Sequence, residues 1–254
     1  MKALKSLSYV QKSCLSKTGK LMFETSMLSS GARIGVAVSG GMDSWLLLKL
    51  LLLQRRKLPF PVEIMALHVN PGFDRHGHRP LAEWLRTNGV AGHIEVGDMG
   101  PRAHSEENRK RSACFFCSWR RRKRLFQLVK RYRLSHIAFG HTADDLVQTF
   151  FMNLFYSGRV EGMYPVESFF GGEFLLIRPM LLVEKRQVVK AVKEWQLPVW
   201  QNPCPSAEQS KRTEVDAWMQ ELMKRDKRIR KNVFSALERW QLAQGIPQGK
   251  GRDD

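Results

Sequence analysis

The chain has 254 residues, of which 43% are hydrophobic, so it can bury a sizeable core and is not an intrinsically disordered protein. It carries 42 Lys and Arg against 24 Asp and Glu, and its formal net charge of +18 predicts a polyanionic partner, either a nucleic acid or an acidic membrane. No apolar run reaches the length of a membrane span, and the N-terminus has no convincing apolar region or cleavage site, so we expect no secretory signal. We therefore expect RNA in the cytoplasm to be the partner, with no membrane association.

Apolar runs that fit buried strands alternate with helical stretches along the chain. The predicted strands are residues 34–38, 62–69, 93–96, 136–139 and 174–177. The predicted helices are residues 44–54, 80–88, 118–133, 144–156 and 184–195. This alternation is typical of an α/β fold with a mostly parallel sheet, in which ligands bind at the carboxyl ends of the strands.

Composition divides the chain into three regions. Residues 1–29 are polar and rich in Lys and Ser, and we expect them to form an N-terminal lead-in with a short helix. Residues 30–204 contain the alternating strands and helices and form the predicted catalytic domain. Residues 205–254 are basic and predicted to be a helical C-terminal tail.

A glycine-containing motif follows the first predicted strand and opens a Leu-rich helix. It reads Ser39-Gly40-Gly41-Met42-Asp43-Ser44. A tight turn between a strand and a helix points backbone N–H groups and a helix N-terminus at one spot, which favours phosphate binding. The motif is neither the Walker loop nor the Gly-x-Gly-x-x-Gly fingerprint. It predicts a phosphate-binding loop of a different class.

The four cysteines are too few for a secreted disulfide scaffold of this size. Cys114 and Cys117 form a Cys-x-x-Cys pair next to a basic run, Cys204 lies further along, and Cys14 stands apart. Cationic neighbours and a helix N-terminus favour the thiolate that binds metal. Metal or cluster ligation, a zinc site completed by His136 or His141, and buried unliganded thiols all remain open on spacing alone.

Two aspartates begin the helix after the fourth predicted strand. Asp144 and Asp145 follow Thr142, a residue that can cap a helix, and a helix N-terminus stabilises carboxylates whatever their function. Their place beside His141 at a strand end favours a functional role for at least one of them. Mg²⁺ binding and proton transfer are the candidate roles.

Two basic stretches predict a surface that follows an RNA backbone. Eleven Lys and Arg lie within residues 109–133 and eight within 211–231, with almost no acidic residues in the first run. A solvated helix face would mix the two signs of charge, so phosphate binding is the better explanation. The residues predicted to bind tRNA are Arg120, Arg121, Arg122, Lys123, Arg124, Lys211 and Arg212.

Six motifs occur in the order found in the tRNA 2-thiocytidine synthetase family of the PP-loop ATP pyrophosphatase superfamily. They are the loop at 39–44, the cysteine pair, Gly-His-Thr-Ala-Asp-Asp at 140–145, Asn-Leu-Phe-Tyr-Ser-Gly at 153–158, Gly-Met-x-Pro at 162–165 and Ile-Arg-Pro at 177–179. The chain resembles this family over roughly residues 30–225. The resemblance implies a Rossmann-like PP-loop domain of the adenine nucleotide alpha hydrolase type.

The resemblance also implies a reaction and its cofactors. ATP, with Mg²⁺, adenylates the C2 oxygen of a cytidine, by resemblance at tRNA position 32, and sulfur then replaces that oxygen. In the family a [4Fe-4S] cluster is held by cysteines that correspond to Cys114, Cys117 and Cys204. The implied partners are tRNA and a sulfur donor such as a cysteine desulfurase, and a homodimer is a candidate assembly.

Site residues follow from the motifs and from their place at the strand ends. The expected ATP-binding residues are Ser39, Gly40, Gly41, Asp43, Ser44, His68, Asn70, Gly140 and His141. The expected catalytic residues are Asp43, Asp144, Asp145 and Cys204.

The chain departs from the family pattern at two positions. Met42 stands where several relatives have Lys, so charge compensation for the phosphates must come from elsewhere. The family often has a second cysteine before the distant one, which leaves Cys204 as the sole candidate here.

Four alternative functions remain open from the sequence. A tRNA 2-thiouridine synthetase would usually carry N-terminal zinc-binding cysteine pairs, whereas only Cys14 is present. A tRNA-lysidine synthetase would need no cysteine trio, and a glutamine-fed amidating synthetase would not explain the charge. An RNA-binding protein with a degenerate ATP fold is disfavoured by the intact loop and aspartates.

Overall fold

The computed structural model describes residues 7–108, 112–200, 203–206 and 211–242, apart from the side chains of Lys211, Arg212, Lys227 and Leu242. A six-stranded sheet forms its centre. The strands are β1 Arg33–Ala37, β2 Glu63–Asn70, β3 Ala91–Val96, β4 His136–Ala138, β5 Val166–Phe169 and β6 Phe174–Ile177. Their spatial order is β3-β2-β1-β4-β6-β5, and all neighbours are parallel except the antiparallel pair β5 and β6.

Helices cover both faces of the sheet. They are α1 Tyr9–Glu24, α2 Met42–Gln54, α3 Arg79–Asn88, α4 Met99–Ala103, α5 Ala113–Arg131, α6 Ala143–Ser157, α7 Lys185–Glu194, α8 Lys211–Arg225 and α9 Lys227–Leu237, with a π-helical turn at Glu238–Leu242. One apolar core lies between the sheet and α1, α2, α6 and α7. A second, smaller core lies under α5 on the opposite face.

Helix α2 explains why the N-terminal residues belong to the core. Its leucines at positions 46, 47, 48, 50 and 51, together with Trp45, are almost completely buried, so this helix is apolar all round. A helix of that kind must be covered on every side, and α1 and α7 supply the outer cover. Ser8 caps α1 in a capping box with Gln11, which fixes where that helix begins.

The predicted fold class is confirmed, and each predicted strand agrees with the structure to within two residues. Strand β5 was not predicted, because it is a short antiparallel edge strand with mixed polarity. Helix α5 begins at Ala113, before the cysteine pair rather than after it, because the Ser112 side chain accepts a hydrogen bond from the Phe115 N–H and caps it. No helix within the described residues combines the length and apolarity needed to cross a membrane.

Candidate active site

The loop at residues 39–44 lies at the carboxyl end of β1, where the strand order reverses and α/β folds bind ligands. Its two serines fold it. The Ser39 N–H donates to Ser44 Oγ at 3.0 Å, and Ser44 Oγ donates to the Gly41 carbonyl at 2.9 Å. Gly41 is the N-cap of α2, so the unpaired N–H groups of the first turn provide an anion site.

Position 40 requires glycine for two reasons, its backbone conformation and the ring of a neighbouring tryptophan. It adopts φ +99°, and a Cβ on it would lie 2.3 Å from the ring of Trp200. The Trp200 N–H also donates to the Gly40 carbonyl at 3.1 Å. Trp200 precedes the Cys204 segment, so it anchors that segment to the loop. Trp200 was not among the predicted site residues, because no spacing or motif in the sequence distinguishes it.

The loop forms one wall of a pocket with a volume of about 170 Å³. The opposite wall comes from the segment between β4 and α6, which approaches so closely that a Cβ at Gly140 would lie 3.0 Å from the Asp43 backbone. Helix α5 closes a third side. The polar or charged side chains in the lining belong to Ser39, Asp43, Ser44, Arg121, His141 and Asp145.

Asp43 is paired with a lysine from another helix. Lys185 Nζ donates to Asp43 Oδ1 at 2.6 Å, and both side chains are partly exposed. Burial raises the pKa of Asp43, Lys185 opposes that rise, and the nearby carboxylates of Asp145 and Asp144 add to it. Lys185 was not among the predicted site residues. It begins a helix 142 residues after Asp43, and no pattern in the sequence indicates that the two side chains meet.

The two adjacent aspartates occupy different environments. Asp145 Oδ2 accepts from the Thr142 N–H at 2.8 Å and from Thr142 Oγ1 at 2.7 Å, and its side chain lines the pocket. Asp144 accepts at Oδ2 from the Lys185 N–H at 2.5 Å and at Oδ1 from Arg230 Nη2 at 2.8 Å. Both oxygens of Asp144 therefore hold α7 and α9 in place, whereas Asp145 combines a capping role with a place in the pocket.

The polar side chains near the end of β2 form hydrogen bonds with the backbone of neighbouring segments. Asn70 donates to the Asp74 carbonyl at 2.8 Å and accepts from the Gly72 N–H at 2.9 Å, so its amide holds the following turn. His68 is buried, with Nδ1 2.7 Å from the Val38 carbonyl oxygen. Its Nε2 has no hydrogen-bond partner among the described residues. Their predicted contact with ATP stays a prediction.

His68 gives a testable pH dependence of stability. Burial lowers the pKa of His68 to about 4, whereas the pKa of a histidine in the unfolded chain is about 6.5. The unfolded chain therefore binds the extra proton first, and the free energy of unfolding decreases as the pH falls from about 6.5 to about 4. We expect wild-type protein to lose about 3 kcal/mol more over this range than His68→Gln, as measured by urea unfolding. His76→Gln, which changes an exposed ring, is the control, and equal losses in wild type and His68→Gln would contradict this assignment.

The three predicted cluster ligands lie close to one another. Cys114 Sγ is 3.4 Å from the Ser206 carbonyl oxygen, which brings the start of α5 against the segment of residues 203–206. Burial raises the pKa of Cys117, and the nearby Cys204 and Cys114 contribute to the same rise. No group of three or more His, Cys, Asp or Glu side chains in the described parts of the chain is arranged to hold a metal ion. Three neighbouring thiols are nonetheless the donor set that suits an iron–sulfur cluster. By contrast, Cys14 is fully buried in α1, and burial raises its pKa to about 11.

The basic run on α5 is not uniform. Arg120 Nη2 pairs with Glu107 Oε1 at 2.9 Å, and Arg124 Nε pairs with Glu95 Oε1 at 2.6 Å. Lys123 lies over the Trp119 ring, and Arg122 is exposed. Arg121 faces the pocket instead. The predicted tRNA-binding side chains of Lys211 and Arg212 lie outside the description of the structure.

The spacing of residues along α5 indicates which side chains share its buried face, and this pattern was not used in the predictions above. Cys114, Cys117 and Arg121 precede Leu125 and Leu128 at spacings of three and four residues, so all five share one face of the helix. The leucines of that face are buried against the sheet. Continuing this face from Leu125 toward the N-terminus of the helix would have placed Arg121 on the side of α5 that faces the pocket.

The fold and this site define a PP-loop nucleotide-binding protein, and the family description "PP-loop domain" matches residues 11–215. The tRNA-cytidine(32) 2-sulfurtransferase of Bordetella pertussis is 34% identical over 227 residues, which cover 88% of this chain and 70% of that protein. The protein of the same name from Geobacter sulfurreducens is 30% identical over 221 residues and 86% of each chain. Among solved structures, the U34-tRNA thiolase NcsA from Methanococcus maripaludis, with its [4Fe-4S] cluster, aligns with a TM-score of 0.71 at 21% identity, over 90% of this chain and 79% of that one. The chain belongs to the tRNA-cytidine(32) 2-sulfurtransferase family of PP-loop proteins.

Proposed function

We propose that the protein uses ATP to replace the C2 oxygen of cytidine 32 in tRNA with sulfur, giving 2-thiocytidine. One observation carries the proposal within the family. The helix that bears Cys114 and Cys117 also lines the pocket formed by the loop at 39–44, through Arg121 and Leu125. A site that activates the base with ATP and a site that supplies sulfur are therefore neighbours.

The loop at 39–44 serves the activation step in this proposal. The C2 oxygen of the base is a poor leaving group until it carries a phosphoryl group. It attacks the α-phosphorus of ATP, a new O–P bond forms, and the bond to pyrophosphate breaks. The N–H groups at the start of α2, together with Ser39 and Ser44, hold the departing pyrophosphate and its negative charge.

Asp43 and Asp145 are the proposed ligands for Mg²⁺ on the phosphates. Both carboxylates line the pocket, and carboxylate oxygens are ligands that Mg²⁺ prefers. Asp144 is not proposed as a ligand, because it does not line the pocket and its two oxygens accept from the Lys185 N–H and from Arg230. Its proposed role is to keep α7, and with it Lys185, beside Asp43.

Cys114, Cys117 and Cys204 are the proposed ligands of a [4Fe-4S] cluster. These three thiolates would hold the cluster, and the cluster would supply an iron at which sulfur can be carried. The protein contributes the position of the thiols: α5 holds two of them at the edge of the pocket, and Trp200 anchors the segment with the third to Gly40.

The sulfur-transfer step completes the proposed reaction. A sulfur nucleophile at the oxidation level of sulfide attacks C2, a C–S bond forms, and the C–O bond breaks as AMP leaves with the oxygen. The base undergoes no net oxidation or reduction. A cysteine desulfurase is the proposed source of the sulfur, which it delivers as a persulfide, and a dithiol reductant supplies the two electrons that bring this sulfur to the level of sulfide as the dithiol becomes a disulfide. The exposed Arg122 and Lys123 on α5 are proposed contacts for the tRNA backbone.

Nucleoside mass spectrometry of tRNA tests the proposal. Cells that lack this protein should lose 2-thiocytidine, and the wild-type gene should restore it. Restoration by Asp43→Asn should fail, which links the modification to the ATP site. Loss of 2-thiouridine or lysidine instead would favour one of the two related tRNA-modifying activities. Unchanged tRNA nucleosides, with no RNA-dependent release of pyrophosphate by the purified protein, would favour an RNA-binding protein.

A further inference from the structure

Arg121 stands apart from the other basic residues of α5 by its position. It follows Cys117 by one helical turn, its side chain is half-buried, and it lines the pocket opposite Ser39, Asp43 and Ser44. It is the sole cationic side chain among the described residues that form this lining. A guanidinium at this position faces the anion site of the loop rather than the solvent.

Arg121 pairs with no carboxylate in the part of the chain that the structure describes, although it lies close enough to the Cys117 thiol to oppose the rise that burial causes in the pKa of that thiol. Its neighbours Arg120 and Arg124 pair with Glu107 and Glu95, but no hydrogen bond or ion pair joins Arg121 to another described residue. Burial lowers the pKa of Arg121, yet arginine stays protonated in proteins. A partly desolvated charge without a partner is costly, and an anionic ligand would remove that cost.

Among the described residues, the rest of the pocket lining contains no other Lys or Arg for phosphate. The loop itself contains no Lys or Arg, and the side chain of Met42 packs against the apolar core. Lys185 is already paired with Asp43. Burial keeps the pKa of His68 low, and the nearby Arg121 lowers it further, so this ring contributes no positive charge at neutral pH.

We propose that Arg121 binds the phosphates of the nucleotide and that this residue of the cysteine-bearing helix, rather than a lysine of the loop, neutralises their charge. The inference rests on the proposed function and refines it. It takes Arg121 out of the predicted tRNA-binding set. It also places the phosphate contact one helical turn from Cys117, on the same face of α5. A planar guanidinium suits this place because its forked N–H groups match two phosphate oxygens at once.

Calorimetric titration of the full-length protein with ATP and with adenosine tests the assignment. Arg121→Gln should weaken ATP affinity at least about tenfold. Arg121→Lys should give an intermediate loss, because the charge remains but the fork is gone. Arg86→Gln is the matched control: the same substitution at an exposed arginine of α3, outside the pocket lining, should leave the ATP affinity within about twofold of wild type. Adenosine affinity should be equal in all four proteins, since adenosine carries no phosphate.

Two outcomes would overturn the assignment and can be told apart. An unchanged ATP affinity in Arg121→Gln, with a reduced salt dependence of tRNA binding, would make Arg121 a tRNA contact and leave the proposed function intact. No ATP binding by wild-type protein would overturn the proposed function together with the assignment. Thermal unfolding checks the fold of each variant. If Arg121→Gln does not fold, Arg121→Lys decides alone, and an ATP affinity equal to that of wild type would refute the specific role of the guanidinium.

Discussion

Protein purified without oxygen should be brown and contain iron, and Cys114→Ala should remove both the colour and the thiolation activity. Cys114 lies in the first turn of α5, and its sulfur lies against the segment that carries Cys204, so its removal takes away one of the three proposed ligands. The alanine variant should keep its fold, because the Cys114 side chain is only half-buried. Iron content per chain, the visible absorption spectrum and formation of 2-thiocytidine in tRNA are the measurements.

Cys14→Ala is the matched control for this experiment. Cys14 is fully buried in α1 and does not line the pocket, so its removal should cost some stability while leaving iron and activity in place. Colourless wild-type protein that contains stoichiometric zinc would contradict the cluster assignment. Iron retained in full by Cys114→Ala would remove that cysteine from the ligand set.

Asp43→Asn should reduce turnover about 100-fold or more while leaving the iron content unchanged. The substitution preserves the size of the side chain but removes the charge that pairs with Lys185 and that is proposed to hold Mg²⁺. Burial already disfavours the ionised form of Asp43, so the neutral amide should not destabilise the fold. RNA-dependent pyrophosphate release and 2-thiocytidine formation would be measured side by side.

Asp98→Asn provides the comparison for Asp43→Asn, because it neutralises an exposed aspartate that lies outside the pocket lining. Its turnover should match that of wild type. Asp144→Asn and Asp145→Asn then separate the adjacent pair. The Asp145 variant should lower the response to Mg²⁺, whereas the Asp144 variant should weaken the attachment of α9 through Arg230. Wild-type turnover in Asp43→Asn would exclude Asp43 from the active site.

Local features of this chain were predictable because their physical causes are local. The loop at 39–44 is specified by its glycines and serines between an apolar run and a Leu-rich helix, and it lies where the strand–turn–helix pattern indicates. The cap of α5 was equally local, yet Ser112 was overlooked, and the predicted start of that helix was therefore too late. That error concealed the helical phase that directs Arg121 inward.

Other features depend on residues that meet only after folding. Asp144 and Asp145 look equivalent in sequence, but successive residues of a helix point about 100° apart. One therefore faces the pocket and the other faces α7 and α9. In the same way, a polar N-terminal segment becomes part of the core because α2 is apolar all round and needs a cover.

The sequence by itself determined the fold class and the family, and it predicted the phosphate-binding loop and the cysteine set, because each depends on short-range patterns of residue type. Only the tertiary structure decided which charged side chains meet and which of them line the pocket. The partners of Asp43 and Asp144 lie on distant segments, as do the loop residues that share the pocket with Arg121, and their positions depend on how the helices pack around the sheet. The loop at 39–44 shows the difference. That it contains no Lys or Arg is visible in the sequence. The residue proposed to neutralise the phosphates instead, Arg121, lies on a helix on the other face of the sheet, and its position became visible only in the folded protein.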